Sequence, residues 1–479
     1  MLEFMPGRMQ TESLKNKMRQ STALSKALPD VPTHYSVRSL ANLIWRRREV
    51  KERPYVLVLG SGASLSSGAS SMEEIVSSIV QNHSIKNSDG KEPLEAFYDI
   101  IDQCSESERY NILEPHLRGA TPSSGYRHLA RLIRDRYFSL ILTTNFDLFL
   151  EDAIMDAGMR ASDFIKLLVG CNEPKQLVKT LKFNTPAVKI LKLHGDLNWR
   201  IFAFTPAETA QFPESIEAAV ADILSEDFIA FGISLRDRDV ARCIRKEGGS
   251  IWYVNLEPSK SIDLAYEAIQ ARGKGKELSG EMARFDDFFG WLRLEILVTE
   301  ALENTDDPTE SQLLNAYRDS WSGEDLWKVA PLLEQMTKHY AEVQRIDFHE
   351  LSLERCAAVY QNMGDYRRAA KNLRRLGKLH TDANLPAEAV LAYKQSLEFS
   401  RRAHHRKGEA VSLAQLGQCW RAIASPLRRV RKDQQAKEAM EKALDFWREC
   451  LSIFEELGAT EQITRVKRWI NEASEGESS

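Results

Sequence analysis

Two short apolar runs of the sequence each end in polar side chains that could carry out chemistry. The run 138–142 leads into Thr143-Thr144-Asn145-Phe146-Asp147, and the run 187–193 leads into His194-Gly195-Asp196. An amide such as that of Asn145 can orient a ligand or a water, and a histidine such as His194 can accept a proton. Turn chemistry alone would also account for the Asn and the Asp, and a lone histidine can be a structural residue or a helix cap.

A glycine-rich turn follows a third apolar run, 55–59. Its sequence, Gly60-Ser61-Gly62-Ala63-Ser64, leads towards a predicted helix at 72–80. Glycine lets the backbone approach a phosphate closely, and a helix N-terminus offers free N–H groups and a positive dipole, so a dinucleotide pyrophosphate fits here. The spacing matches neither the dehydrogenase fingerprint nor the P-loop, and a tight strand-to-helix connection would also favour glycine.

Two more apolar runs complete the set of strands that the sequence predicts. The run 228–231 leads into Gly232 and Ser234, and the run 251–256 carries Asn255. Runs this short, rich in β-branched and aromatic residues, with helix-length segments between several of them, indicate buried parallel strands. We therefore predict an α/β domain with a doubly wound, mostly parallel sheet, whose five strand ends converge on one crevice.

Glycine usage separates this domain from the rest of the chain. Seventeen of the 24 glycines precede residue 300, and beyond about residue 305 the strand-like runs give way to consecutive helical patterns. We predict an N-terminal arm at 1–35, the α/β domain at 36–304 and an all-α domain of stacked helix pairs at 305–479. Gly364 and Gly417 are each expected where two packed helices come close. Their separation is not one repeat length, which indicates TPR-like (tetratricopeptide-like) repeats that are irregular or elongated.

Composition excludes several classes of protein. The chain has 479 residues, of which 43% are hydrophobic and 28% charged, as is typical of a globular protein of two or three domains. The net charge of −4 gives no global reason to expect a nucleic-acid or membrane partner. Six separated cysteines argue against a zinc ribbon and a disulfide scaffold, so no metal is expected. No apolar run approaches the length of a membrane helix and no secretory signal is evident, which predicts a cytoplasmic protein.

Charge is distributed unevenly within the all-α part. Residues 301–350 hold 11 acids and 4 bases, whereas residues 351–432 hold 17 bases and 6 acids. Several of these bases, among them Arg367, Lys371 and Arg374, fall near one helical face. Such a face can bind an acidic protein or nucleic acid, or it can be a solvated face balanced by the neighbouring acidic stretch, and both interpretations stay open.

Four motifs, in this order, resemble the SIR2 family, specifically the SIR2-like domains of bacterial defence proteins. The motifs are Gly60-Ser61-Gly62-Ala63-Ser64, Thr144-Asn145-Phe146-Asp147, Leu193-His194-Gly195-Asp196 and the segment from Gly232 through Ser234 to Asp237. The resemblance covers roughly residues 50–260 and implies a Rossmann-like domain that binds NAD+. It implies that Asn145 and His194 are catalytic. The residues expected to hold NAD+ are Gly60, Gly62, Ala63, Ser64, Thr144, Asp147, Gly232, Ser234 and Asn255.

The resemblance also implies chemistry at the nicotinamide–ribose bond, whose cleavage passes through an oxocarbenium-like sugar. Asp147 is expected to orient the Asn145 loop rather than to react. The deacetylases of the family carry a four-cysteine zinc ribbon between the His-Gly motif and the next glycine-serine segment, but here the segment from His194 to Gly232 contains no cysteine. This departure favours water as the acceptor. The predicted activity is an NAD+ glycohydrolase that releases nicotinamide and ADP-ribose.

Family members with such a helical fusion resemble anti-phage effectors that deplete NAD+ in abortive infection. The all-α domain would then serve sensing or oligomerisation, with a homo-oligomer expected and an activating protein or phage-derived trigger as its partner. Two alternatives stay open. The protein can be a zinc-free NAD-dependent deacylase or ADP-ribosyltransferase, or a non-catalytic nucleotide-binding TPR scaffold.

Overall fold

The computed structural model of the protein describes residues 33–82, 92–117, 119–183, 185–210, 212–233, 238–258, 267–268, 271–272, 275–320, 326–430 and 432–475. The expected N-terminal arm therefore lies outside the described residues as far as residue 32. The strands are β1 (Val56–Leu59), β2 (Leu140–Thr143), β3 (Phe164–Leu168), β4 (Val188–Lys192), β5 (Gly195–Asp196), β6 (Ile201–Phe202), β7 (Phe228–Phe231), β8 (Ile251–Val254) and β9 (Gly275–Leu278).

Helices alternate with these strands along the first part of the chain. They are α1 (Thr33–Glu49), α2 (Met72–Asn82), α3 (Pro93–Gln103), α4 (Glu106–Leu113), α5 (Ser124–Arg134), α6 (Phe149–Asp156), α7 (Pro174–Leu181), α8 (Glu214–Ile223) and α9 (Arg238–Cys243). The helix predicted at 72–80 is α2. It does not follow the glycine turn directly, because two short 3-10 helices, Ser61–Ala63 and Leu65–Ser67, come first.

Seven of the strands form one parallel sheet in the order β3-β4-β2-β1-β7-β8-β9, which confirms the predicted doubly wound Rossmann-like architecture. The chain leaves β1 towards β2 on one side and leaves β7 towards β8 on the other. The boundary between β1 and β7 is therefore the topological switch point, where open α/β sheets bind ligands. The two strands β5 and β6 form a separate antiparallel hairpin.

Alternate side chains of the strands feed two apolar cores, one on each face of the sheet. Leu57 and Ile141 belong to the core that α1, α5, α6 and α10 (Phe285–Asn304) complete. Val58 and Leu142 belong to the core under α7, α8 and α9. Both faces are covered, which is why the central strands are continuous apolar runs in the sequence.

From residue 279 onwards, the described residues contain helices and no strand. After α10 come α11 (Pro308–Ser320), α12 (Leu326–Glu342), α13 (Ile346–Asn362), α14 (Tyr366–Asp382), α15 (Pro386–Arg402), α16 (Arg406–Arg429), α17 (Asp433–Glu456) and α18 (Thr460–Glu475). The core that covers one face of the sheet continues without a break through α10 into α11–α15. A second helical core joins α15 to α18.

The helices α12 to α16 begin at equal intervals along the chain, at positions 326, 346, 366, 386 and 406. Between them lie short turns, each with one residue of positive φ: Gln344, Gly364, Asn384 and His404. Each helix packs on the next, as in helical-repeat proteins. A pair such as α12 and α13 extends from position 326 to the start of α14 at position 366, and is therefore longer than a tetratricopeptide repeat of roughly 34 residues.

The two glycines expected at helix contacts behave differently. A Cβ on Gly417 would lie 2.2 Å from Nε1 of Trp447, so α16 and α17 do depend on glycine at their contact. The expectation for Gly364 is wrong, because this residue lies in the turn after α13 with a φ of 75° and no atom near the Cβ position. It permits the left-handed turn conformation that ends the helix. The corresponding contact glycine of α14 is Gly377, which packs on the ring of Tyr393.

Candidate functional site

The glycine turn after β1 packs directly on the end of β7. Gly60 N–H donates to the carbonyl of Phe231 at 2.9 Å, and Gly62 N–H donates to the carbonyl of Gly232 at 3.1 Å. A Cβ on Gly60 would lie 2.5 Å from the carbonyl oxygen of Gly232, and a Cβ on Gly62 would lie 2.9 Å from the Cα of Gly232. Gly232 itself has a φ of 58°. These three glycines are thus required by the close approach of two backbones at the switch point.

Asn145 lies two residues beyond β2 and its side chain is held from two sides. Its Nδ2 donates to the carbonyl oxygen of Gly60 and to Oγ of Ser64, both at 3.0 Å. Its backbone N–H donates to Oγ1 of Thr143 at 3.0 Å. Because both amide hydrogens are engaged, the orientation of the Asn145 carboxamide is fixed relative to the glycine turn.

Ser64 links Asn145 to Asp147. The hydroxyl of Ser64 accepts from Asn145 and donates to Oδ2 of Asp147 at 2.5 Å, and the hydroxyl of Tyr126 lies 3.3 Å away. Oδ1 of Asp147 accepts the backbone N–H of Phe149 at 3.2 Å. Burial raises the pKa of Asp147, which opposes the ionised form. Both oxygens of this carboxyl contact protein groups, so the geometry gives Asp147 a positioning role.

His194 lies two residues beyond β4 and contacts a carboxylate from a distant part of the chain. Its Nε2 is 2.9 Å from Oδ2 of Asp239, which lies on α9. His194 and Asp239 are both buried, with 8% and 3% of their surface exposed. A carboxylate accepts hydrogen bonds, so Nε2 carries the proton in neutral imidazole and Nδ1 is the nitrogen with a free lone pair. Among the described residues, Nδ1 has no hydrogen-bond partner.

The strand register places Asn145 and His194 side by side. Strands β2 and β4 are neighbours, with Thr143 paired to Lys192, and Leu193 N–H continues the ladder to the carbonyl of Thr143. Asn145 and His194 each follow their paired residue by two positions. They therefore leave the same edge of the sheet from adjacent strands, which lie about 4.8 Å apart.

A buried group of charges holds the chain on both sides of His194. Nζ of Lys192 lies 3.0 Å from both Glu151 and Asp196, and it also donates to the backbone carbonyl of Asp147. Lys166 adds a second ammonium, 2.6 Å from Asp196. Burial opposes ionisation, but the opposite charges prevail and keep the pKa of Lys192 raised and that of Asp196 lowered. This compensated group ties β4 to the Asn145 loop.

Gly195 allows the chain to reverse after His194. Its φ is 132°, and a Cβ there would lie 2.1 Å from the carbonyl oxygen of Ile201 in the hairpin. Phe202 and Phe204, at the end of the hairpin and just beyond it, pack on Phe146, with ring centroids 5.6 and 5.3 Å apart. The hairpin therefore forms an apolar wall next to Asn145.

The remaining residues predicted for NAD+ are distributed along the same edge of the sheet. Ala63 is buried in the first 3-10 helix, and Thr144 N–H donates to the carbonyl of Leu59 at 3.1 Å. Asn255 follows β8 and uses its Nδ2 to contact the hydroxyl of Tyr253 at 2.8 Å. Ser234 lies outside the described residues, as does Asp237.

Three residues of the site were not predicted from the sequence: Asp239, Tyr126 and Lys192. Asp239 stands seven positions after Gly232, within a segment rich in charged residues, so its charge alone did not distinguish it. Tyr126 lies inside an amphipathic helix and has the pattern of an ordinary core residue. Lys192 ends a strand whose other residues are mostly apolar, and a lysine in a buried strand was a signal that could have been used.

A cavity of about 570 Å³ lies beside the glycine turn, between the sheet domain and the repeat helices. Its walls include Ser67, Arg127, Asp286, Glu354 and His380. Neither Asn145 nor His194 lines it, so it is separate from the pair described above.

Within the described ranges, no group of three or more His, Cys, Asp or Glu side chains is arranged to hold a metal ion. No helix in the described part of the chain is long and apolar enough to cross a membrane.

Comparison with known families gives a match over part of the sheet domain. Residues 139–248 match the family model of the SIR2-like domain. The matched range contains Asn145, His194 and Asp239 and begins after the glycine turn. A search of curated proteins found no match. A SIR2-like domain on a parallel sheet is consistent with an NAD-utilising enzyme.

Proposed function

We propose that the protein is an NAD+ glycohydrolase that cleaves NAD+ to nicotinamide and ADP-ribose. The observation that carries this proposal is the placement of Asn145 and His194 just beyond the adjacent strands β2 and β4. Each side chain is held by hydrogen bonds that lead to a carboxyl group, and both lie in the range that matches the SIR2-like domain. Gly60, Gly62 and Gly232 bring the ends of β1 and β7 into close contact at the switch point, the place where open α/β sheets bind ligands.

In the proposed reaction the bond between the ribose C1′ and the nicotinamide nitrogen breaks, and nicotinamide leaves with the bonding electrons. The sugar becomes oxocarbenium-like and takes up the oxygen of a water molecule. Nδ1 of His194 accepts a proton from that water or from a ribose hydroxyl, while Asp239 stabilises the imidazolium that forms. The carboxamide of Asn145 orients the ribose or the water, and Asp147 holds it in place through Ser64.

The choice of water as acceptor rests on the segment between the His-Gly motif and the motif that begins at Gly232. From Gly195 to Phe231 the described residues form the hairpin, α8 and β7, and the sequence there has no cysteine with which to build a zinc ribbon. The expected absence of a metal requirement belongs to the same proposal, as does a cytoplasmic location. Prolonged chelation should leave NAD+ consumption unchanged.

The test uses the full-length protein with NAD+ in water enriched in heavy oxygen, followed by chromatography and mass spectrometry. Hydrolysis predicts equal amounts of nicotinamide and ADP-ribose, with one heavy oxygen in each ADP-ribose. Consumption of NAD+ only in the presence of a protein acceptor would instead support the deacylase or ADP-ribosyltransferase. Binding of NAD+ measured by calorimetry, without turnover at any protein concentration, would support the nucleotide-binding scaffold.

We further propose that the helical part, residues 305–479, controls this reaction, as in the anti-phage effectors that the sequence resembles. The support is helix α5, which touches both parts of the molecule. The hydroxyl of Tyr126 lies 3.3 Å from Ser64 in the site. Further along the same helix, Arg131 forms a two-pronged pair with Glu350 of α13, at 2.6 and 3.0 Å.

Two further contacts lie beside this pair, and burial lowers the pKa of His128, so its ring contributes no charge at neutral pH. Nε2 of His128 on α5 lies 2.7 Å from Oε2 of Glu354, and Arg355 lies 3.2 Å from Asp287 at the start of α10. A displacement of α13 would therefore move α5 and, with it, the hydroxyl of Tyr126 next to Ser64. A homo-oligomer or an activating protein that engages the repeat helices is the proposed source of such a displacement.

A further inference from the structure

The basic face of the repeat helices contains a concave pocket remote from the residues of the candidate site. The pocket has a volume of about 440 Å³ and lies between the first turns of α14 and the turn that precedes α16. Its lining is almost entirely cationic: Asp365, Arg367, Arg368, Lys371, Arg374 and His405.

Several of the surrounding bases are already neutralised. Arg401 and Arg406 both pair with Glu409, at 2.9 and 2.8 Å, and Lys378 pairs with Asp382 at 2.7 Å. The excess positive charge of residues 351–432 is therefore carried by the bases without an acidic partner, and some of these line the pocket.

Three basic side chains of the pocket have no acidic partner within the described ranges. In the described part of the chain, Arg367, Lys371 and Arg374 have no carboxylate within ion-pair distance. Arg374 is half-buried and donates to the hydroxyls of Ser396 and Ser400 at 3.2 and 3.1 Å. Burial lowers the pKa of Arg374, because no anion compensates its charge.

His405 completes the pocket and carries an unpaired buried nitrogen. Its Nδ1 has no hydrogen-bond partner among the described residues and is shielded from solvent. The ring lies against the first turn of α16 because position 408 is glycine, where a Cβ would lie 2.3 Å from Nδ1. Burial and then the positive charges of Arg367 and Arg374, which line the same pocket, lower the pKa of His405.

We propose that this pocket binds a compact phosphate-bearing anion of the diphosphate class. A single carboxylate would leave most of the converging charge uncompensated, whereas a diphosphate presents several anionic oxygens to two guanidinium groups and an ammonium. The first turn of α14 adds the positive end of its dipole. The pocket has the volume of a small-ligand site, which favours a small molecule over an extended polyanion.

The test is calorimetric titration of the full-length protein with inorganic pyrophosphate at low salt. The variant Arg367→Glu/Lys371→Glu reverses two exposed cations of the pocket. Arg428→Glu/Arg429→Glu reverses two cations at the end of α16, outside the pocket, and is its matched control. Melting temperatures verify that both variants fold.

The proposal predicts one pyrophosphate per chain, binding weakened about 10-fold or more in the pocket variant, and unchanged binding in the control. Equal weakening in both variants, or unaltered binding in the pocket variant, would overturn it, because the pyrophosphate would then be held elsewhere. Failure of the wild-type protein to bind would do so as well.

Two further titrations distinguish a compact phosphate ligand from an acidic peptide and from a nucleic acid. Hexaglutamate binding as tightly as pyrophosphate would assign the pocket to an acidic peptide. Oligothymidylates whose affinity rises with length would assign it to nucleic acid. Either outcome contradicts a compact phosphate ligand. None of these measurements depends on NAD+ cleavage, so the proposed enzyme activity can fail while this site stands.

Discussion

Nε2 of His194 lies 2.9 Å from Oδ2 of Asp239, although the two residues are 45 positions apart and belong to different elements. The carboxylate fixes the tautomer of the imidazole and leaves Nδ1 with the free lone pair. In the proposed reaction this contact suits His194 for the role of general base, and it assigns Asp239 a positioning role that its place in the sequence did not indicate.

Asp239→Asn tests that arrangement. An amide can donate to Nε2 and so favour the wrong tautomer, which removes the proton acceptor without removing the ring. We expect NAD+ turnover to fall by about 10²–10⁴-fold while the fold is retained. The comparison is with Asp222→Asn, an exposed aspartate on α8, which should behave as the wild type. Equal turnover in the two variants would remove Asp239 from the mechanism.

Ser64→Ala tests the link between Asn145 and Asp147. Loss of the hydroxyl frees one amide hydrogen of Asn145 and leaves a buried carboxyl without its donor. We expect kcat to fall by about 10-fold to 100-fold, because a positioning hydrogen bond is lost, with a smaller change in the affinity for NAD+. Ser66→Ala, an exposed serine of the same turn, is the control. A loss of affinity with kcat unchanged would mean that Ser64 binds NAD+ directly.

Gly60→Ala tests the contact between the ends of β1 and β7. The φ of Gly60 is −110°, which alanine adopts readily, so the expected effect comes only from the added Cβ, 2.5 Å from the oxygen of Gly232. Separation of the two backbones should displace the carbonyl that holds Asn145 and reduce NAD+ turnover. Gly68→Ala should cost about 1–2 kcal/mol of folding free energy through its φ of 84° but leave turnover intact. A Gly60→Ala enzyme with normal turnover would contradict the need for that contact.

The contact between α5 and α13 should depend on pH. Burial opposes ionisation of Glu350, but the guanidinium of Arg131 keeps the pKa of this carboxyl below its usual range. A lowered pKa in the folded state stabilises the fold above the ordinary value of about 4.3 and loses that contribution as the pH falls through the folded value. Urea unfolding should therefore show the free energy of unfolding decreasing below about pH 4.3.

The matching variant is Glu350→Gln. It leaves Arg131 buried without its carboxylate partner. The free energy of unfolding should therefore fall by about 3–5 kcal/mol at neutral pH and should depend less on pH in acid. Glu398→Gln breaks an exposed pair with Arg402 and should cost no more than about 1 kcal/mol. If the two variants lose the same stability, the α5–α13 pair is not a strong link between the sheet and the repeat helices.

The central sheet could be predicted from the sequence because its strands are apolar on both faces. The edge strands could not. Lys166 interrupts Phe164–Leu168 because it pairs with the buried Asp196, and Gly275–Leu278 has leucine as its single apolar side chain, so neither shows a continuous apolar run. The even spacing of the repeat helices was also missed, because the residues of positive φ that mark it are of four different types.

A site residue could be predicted only where it closely follows a strand that appears in the sequence as an apolar run. Asn145 and His194 meet that condition, and the register of β2 and β4 then brings them together. Asp239 and Tyr126 reach the site from helices, so their presence depends on how those helices pack on the sheet. No local sequence pattern predicts that packing. The contact of Asp239 with His194 and the link through α5 could therefore be identified only from the structure.

The most direct measurement of the central claim is NAD+ turnover by Asn145→Ala and His194→Ala beside the parent protein, with NAD+ affinity and melting temperature determined on the same preparations. Asn315→Ala and His339→Ala on the helices α11 and α12 are the matched controls. The account predicts that both site variants fold, that the controls keep full turnover, and that nicotinamide release by each site variant falls by about 10²–10⁴-fold. Turnover equal to that of the parent in either site variant would contradict it.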